Sequence, residues 1–482
     1  MTKQAAILPL ILFLVTAVYV DCFAIFVAPL RAQKRVSQIQ SNNEINTVQL
    51  SAWKTSLSTD PDADVALNEL LSTLGAENET PDVAFLFVGM EHAGSFTEIA
   101  KRASERMPET KMMALVGGGI VGGGSEVDQS NLPAMSIMSG VLPKGSNVNL
   151  FSFNELTNPP PNDPADSFWT DLRLTKEGRP PSFLLFVDPW SPIETILSGL
   201  HGSVVAGGIS VPANAQPTVA MNGQALPQGS AVAIQFTGTF GVQAIASQGC
   251  RPVGPIFTVT SNIGNALEEL DGIPALEQLQ SVASDASEED RKLMSTAGYL
   301  VGIASEGDEL TDFLIRQIIG FQPDKGAVVI GARVKTGDRV RFHVRDAKAA
   351  KEDMLLQMDR TKTERLFAGR ANCGTPVAAL QISCVARGQG MFGIPNVDLN
   401  YIASLFEDDQ FNPPVAGFFA NGEIGPVGIA GFNEQHTIDG TYMHGFTTVV
   451  GLLCDFSESS SATNVESLLT TATNDDQGDA WE

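Results

Sequence analysis

The sequence predicts a mixed α/β (α+β) fold, with internally duplicated sheets, helices outside them, and two successive parts. Three observations carry this. Residues 81–88 and 181–187 are short apolar runs, each opened by a proline and one polar residue, the pattern of buried strands. Each run is followed by a second one that ends in glycines, at 117–124 and at 207–208. The two series lie about one hundred residues apart, which is too long a period for a solenoid and suits two copies of one unit within a domain.

The elements follow in order. After the strand at 81–88, residues 96–106 read as a helix, with Ile99 and Ala103 four apart. Residues 112–116 make the next strand, and 134–141 and 147–153 two more. In the second copy, 203–209 repeats the step from strand to glycine, and 231–236 with 241–247 repeats the closing pair. Beyond Cys250, residues 257–260 read as a strand and 265–269 as the opening of a short acidic helix before Asp271-Gly272. Ser287 caps a helix whose first turn is acidic. Residues 313–321 and 327–330 are apolar segments, and 340–344 alternates as a half-exposed strand does. A helix over 346–358 and a polar loop or helix extension over 360–373 lead to a strongly apolar strand at 377–386. A helix at 397–406 and strands at 415–420 and 446–453 complete the order.

The chain has 482 residues and a formal charge of −25, with 30 basic against 55 acidic side chains. Such a chain repels nucleic-acid phosphates and anionic membrane surfaces, so neither partner is expected. Five cysteines, Cys22, Cys250, Cys373, Cys384 and Cys454, are scattered and odd in number. That argues against a disulfide framework and a structural zinc site and suits a reducing compartment. Residues 1–45 read as a presequence: Lys3, an apolar run to Val20, Phe23, then a basic stretch without an acid until Glu44. Such a bipartite address points to a plastid, with secretion or a membrane anchor as the alternative. Residues 37–64 are polar and read as linker and lead-in. The folded parts are expected over 46–250 and 251–456, and 457–482, with six acids and no base, as a solvated tail.

Three stretches concentrate the polar chemistry. Ser383-Cys384-Val385-Ala386-Arg387-Gly388 ends an apolar strand, Gly417 to Ile424 holds Asn421-Gly422-Glu423, and His444 stands shortly before Thr447. Together, and in this order, they resemble the C-terminal part of the FIST domain, the module of F-box and intracellular signal-transduction proteins. Residues 257–272, 320–330 and 340–346 are also similar to that family, and Gly122-Gly123-Gly124-Ser125-Glu126 resembles its N-terminal glycine turn. The resemblance spans roughly residues 65–455. It implies a FIST N-terminal domain followed by a FIST C-terminal domain, and a sensory module for small ligands, amino acids among them. A protein-interaction scaffold is the alternative.

The residues agree in kind. Arg387 at a strand end can take a carboxylate through two parallel hydrogen bonds. Glu423 can meet an ammonium group, or pair with Arg387 in a structural ion pair. Gly388 and Gly422 let backbone approach a ligand, and His444 and Thr447 close the site. The expected ligand-binding set is therefore Arg387, Gly388, Gly422, Glu423, His444 and Thr447. No catalytic residue, metal site or cofactor is expected, and Cys384 reads as an inert core thiol. Gly388, Gly390 and Gly393 have the spacing of a dinucleotide fingerprint, but Pro395 parts them from the next helix and Glu423 lies too far on. A nucleotide-binding enzyme is the least favoured alternative.

Overall fold

In a computed structural model, residues 46–50, 53–74, 80–129, 131–174, 179–214, 216–304, 313–406, 414–431 and 440–457 are described. The expected presequence and the tail from residue 458 onward lie outside the described residues. Apolar runs without alternation must be covered on both faces. Val83–Gly89 is buried throughout, Arg179–Val187 beyond its first two residues, and Thr375–Cys384 beyond its first three. These three strands are the centres of three repeats.

The first repeat runs edge strand Trp53–Ser58, flanked in this copy by the added strand Asn46–Leu50, then helix Ala63–Leu74, strand Val83–Gly89, helix Phe96–Arg106, strand Lys111–Gly117, a small hairpin, and closing strand Met135–Gly140. The second has the same order: Asn147–Asn154, Ser167–Arg173, Arg179–Val187, Ile193–Gly199, Val204–Ile209, a hairpin, and Ser230–Gly238. The duplication extends to a third copy: Phe240–Gln248, Ala347–Ala368, Thr375–Cys384, Val397–Ala403, Val415–Ala420, a hairpin, and Thr447–Asp455. In all three the central strand runs parallel to the one after its helix and antiparallel to the closing strand, which pairs on its other side with the edge strand.

Each hairpin leaves its own sheet. Ile120–Gly122 with Ser125–Val127 joins the third sheet, Val219–Met221 with Gln224–Ala225 the first, and Glu423–Gly425 with Tyr442–His444 the second. The exchange is cyclic, so no repeat is complete alone. The inner faces share one core, in which Phe87, Phe186 and Phe418, one from each repeat, form a triangle with ring centroids 5.6–6.3 Å apart. Burying a phenylalanine is worth about 1.5–3 kcal/mol, so the triangle binds the three sheets to one another. The helices of each repeat cover the outer face of its own sheet.

A closed barrel is inserted between the edge strand and first helix of the third repeat. Its strands are Cys250–Ile263, Arg339–Arg345, Leu300–Ala304, Leu314–Gln322, Ala327–Ile330 and Ala266–Leu270, and the first pairs again with the last. Ala266–Leu270 corrects the short acidic helix expected at 265–269. Asp271 and Gly272 both have positive φ, 51° and 77°, and make a tight two-residue hairpin that holds Leu270 opposite Ile273. The helix-forming composition of the segment yields to that pairing. The lead-in expected over 37–64 is also corrected in part. Asn46–Leu50 and Trp53–Ser58 are strands, and the second is buried throughout, Thr55 and Ser56 included, which removes the alternation that marks a strand.

Candidate functional site

The site occupies one corner of the third repeat, where the edge strand ends, the closing strand begins and the chain leaves the central strand. Arg387 lies just past Cys384, in a turn closed by its own N–H to the Cys384 carbonyl at 2.8 Å. Its side chain is fully buried. Nε donates to Oδ2 of Asp398 and Nη2 to Oδ1, both at 2.8 Å. Asp398 sits in the first turn of Val397–Ala403 and also accepts from the Thr448 hydroxyl at 2.7 Å. Ser383 lies within 2.9 Å of that hydroxyl. The ring of Phe392 stands 5.4 Å from the guanidinium carbon.

Arg387 and Glu423, weighed in the sequence as an alternative ion pair, are not hydrogen-bonded to each other: Nε and Nη2 are both taken by Asp398, which leaves Nη1 outside that fork. Glu423 stays close. It lies opposite His444 in the exchanged hairpin and accepts from the Thr447 N–H at 3.1 Å. Burial raises its pKa well above the ordinary carboxylate value, against the pull of the Arg387 charge. Burial likewise pushes the thiols of Cys384 and Cys250 up to about 12, and the Glu423 charge adds to both. Such thiols stay protonated at neutral pH. His444 is held near 4 by burial, with its Nε2 3.1 Å from the Gly425 carbonyl, so the ring is neutral and donates that bond.

Three buried polar atoms in and around this corner have no hydrogen-bond partner among the described residues: Nη1 of Arg387, Oε1 of Glu423 and, behind Ser383, Oε1 of Gln381. The backbone around them is unusual. A Cβ on Gly249 would stand 2.9 Å from Nη1 and 2.6 Å from the Phe446 carbonyl, so glycine is required there. Phe446 itself has φ 64°, a left-handed conformation that a bulky residue rarely takes. Its ring joins Leu300, Ala304, Phe313 and Ile315 of the barrel, so the barrel closes the corner from outside.

Of the six residues the sequence singled out, Arg387, Glu423, His444 and Thr447 meet at this corner. Gly388 lies on its rim, where a Cβ would collide with the Asp128 carboxylate that takes the Gln389 N–H. Gly422 turns elsewhere: its carbonyl accepts from Ile209 of the second repeat, and a Cβ would meet that side chain at 2.8 Å. The expected ligand-binding set left out Asp398, Ser383, Thr448 and Glu126, although Ser383 and Glu126 stand in the motifs the sequence offered. Glu126 comes from the hairpin of the first repeat and accepts from the N–H groups of Asn396 at 2.7 Å and Leu399 at 3.1 Å, and from the Gln381 amide at 2.7 Å. Its carboxylate therefore takes the place at the start of Val397–Ala403 that a nucleotide phosphate would need. Burial, with Asp398 adding, pushes its pKa up to about 7. Among the described residues no three His, Cys, Asp or Glu side chains are grouped to hold a metal ion, and no helix is long and apolar enough to cross a membrane.

The FIST N domain model matches residues 82–273, and the FIST C domain model residues 275–426. The chain belongs to the FIST family. An uncharacterized protein of Mycobacterium tuberculosis is 30% identical over 397 residues, covering 78% of this chain and 92% of its own length. An uncharacterized protein of Mycobacterium bovis is 28% identical over 411 residues, 82% of this chain and 97% of its own. An F-box/LRR-repeat protein of Arabidopsis thaliana is 26% identical over 180 residues, 36% of this chain and 32% of its own. FIST domains are associated with signal transduction and sensing; Ser383, Arg387, Asp398 and Glu423 lie within the FIST C match, Glu126 and Gly249 within the FIST N match, and His444, Thr447 and Thr448 beyond both.

Proposed function

We propose that this FIST protein is a sensory module that takes a small polar metabolite, an amino acid or a relative of one, into the Arg387 corner and does no chemistry on it. The observation that supports this is the pair of buried, unpartnered atoms Arg387 Nη1 and Glu423 Oε1. One can donate to a carboxylate oxygen. The other belongs to a carboxyl whose pKa burial raises well above the ordinary value, so that an incoming ammonium group would favour its ionised form. Unpaired groups at this depth are costly, and a zwitterion would satisfy both. The barrel covers the corner, so entry requires the Phe446 contact to part. Native mass spectrometry of the purified protein, with a thermal-shift panel of amino acids, tests this. A co-purifying mass, and stabilisation lost in Glu423→Gln, are expected. An empty protein that no amino acid stabilises would overturn the reading.

A second reading, a protein-interaction scaffold, has its own support. Helix Ala347–Ala368 exposes Leu355, Leu356, Leu366 and Phe367, the last two more than three-quarters open to solvent. Retention of partners by the parent and not by a Leu366→Asp, Phe367→Asp variant would favour it.

A further inference from the structure

The repeat makes a second corner comparable with the first. In the third repeat Gln248 ends the edge strand opposite Thr447, and Arg387 follows the central strand. In the second repeat Asn154 ends the edge strand opposite Ser230, and Asp188 follows the central strand. The barrel begins at Cys250 and covers the third corner. At the second there is an open crevice of about 270 Å³ lined by Asn154, Glu155, Leu156, Trp190, Gln228 and Gly229.

Two buried polar residues fix its walls. Asp188 accepts from the N–H groups of Gly229 at 2.8 Å and Trp190 at 3.2 Å with one oxygen, and from the Thr218 hydroxyl at 2.7 Å with the other. The Asn154 amide donates to the Gln228 carbonyl at 2.9 Å and the Ser230 hydroxyl at 3.1 Å, while its oxygen accepts from Leu156 and Thr157. Gly229 has φ 78°, and a Cβ there would press on the Trp190 carbonyl at 3.2 Å. A crevice tied in this way needs little ordering when it is filled.

What lines it is unusual for a surface. The Trp190 side chain is 57% exposed and Leu156 91%, whereas Trp53 and Trp169 are buried. An open aromatic ring and an aliphatic rim beside the Glu155 carboxylate, on a chain of charge −25, suit a cation carried on an alkyl stem. The volume suits one such side chain.

We propose that this crevice docks a lysine or arginine side chain presented by a basic segment of a partner protein. The partner is a protein segment because the crevice is open to solvent, where a backbone can pass, and because Glu155 in its lining and the net charge of −25 attract an extended basic chain. The proposal stands apart from the Arg387 corner and does not depend on what that corner binds.

Calorimetry of the full chain with an alternating glycine–lysine octapeptide tests it, against the same peptide with norleucine for lysine and against tetramethylammonium. Saturable binding of the lysine peptide alone is expected. Trp190→Ala and Glu155→Gln should each weaken it roughly two- to five-fold, and the double variant roughly tenfold. Glu288→Gln, on a remote helix, should leave it unchanged, and the melting curves of all variants should match the parent. Equal binding by Trp190→Ala would show only diffuse attraction to an acidic chain and overturn the proposal. So would equal competition by tetramethylammonium, or no binding of the lysine peptide.

Discussion

Arg387 and Asp398 hold each other through two parallel hydrogen bonds of 2.8 Å, with both side chains shut away from water. The bond ties the turn after the central strand of the third repeat to the helix that follows. Removing either partner leaves a buried charge alone, which costs about 3–5 kcal/mol. Arg387→Ala and Asp398→Asn should each lower the urea midpoint accordingly, and the double variant should lose less than the sum. Arg387→Lys should recover little, since an ammonium cannot bridge both oxygens. Additive losses would show that the two residues act separately.

Glu126 should give the protein a descending limb of stability near neutrality. Its ordinary pKa is 4.5 and its folded pKa about 7. Between these values the folded chain keeps a proton that the unfolded chain has released, so stability is highest below about 4.5 and declines as pH rises through about 7. The slope is at most about 1.4 kcal/mol per pH unit. Glu126→Gln cannot ionise and should flatten this limb in urea titrations between pH 5 and 8. An unchanged slope would place the titration elsewhere.

His343 and His444 act in the opposite sense. Burial lowers both from 6.5 to about 4. Between about 4 and 6.5 the unfolded chain takes up protons that the folded one refuses, so stability is present above 6.5 and is lost as pH falls through 4. His444→Gln keeps an N–H for the Gly425 carbonyl and removes the titration. The acid limb should become shallower by about one proton, and proton uptake on unfolding at pH 5 measures this directly.

The central strands of the first two repeats were legible because Val83–Gly89 and Arg179–Val187 are nearly pure apolar strings. The third was legible as a strand but not as a repeat. It carries buried Gln381 and Ser383, and the barrel stands between its edge strand and the rest. The corner residues at strand ends, Arg387 and Glu423, could be read from their motifs. Asp398 could not, since an acid in a helix's first turn has an ordinary explanation in the helix dipole. The place of Glu126 in the corner was beyond reach for a different reason: it touches Leu399 only because a hairpin crosses from one repeat to another, 273 residues apart in sequence. Nothing in local periodicity encodes such an exchange.

The second and third repeats share a close backbone approach at one glycine each. Gly207 lies in Val204–Ile209 and Gly417 in Val415–Ala420, each on the strand that follows its repeat's second helix. A Cβ on Gly207 would stand 1.8 Å from the Leu185 carbonyl oxygen, and on Gly417 1.8 Å from that of Gln381. Both obstacles are the backbone of the neighbouring central strand, which cannot turn aside as a flexible side chain can. Gly207→Ala and Gly417→Ala should therefore each cost about 3 kcal/mol or more and fail at the same stage of expression. Gly390→Ala, where nothing lies within 4 Å, should melt with the parent. If Gly417→Ala is tolerated while Gly207→Ala is not, the third repeat does not share the backbone approach of the second, and the equivalence of their corners loses its footing.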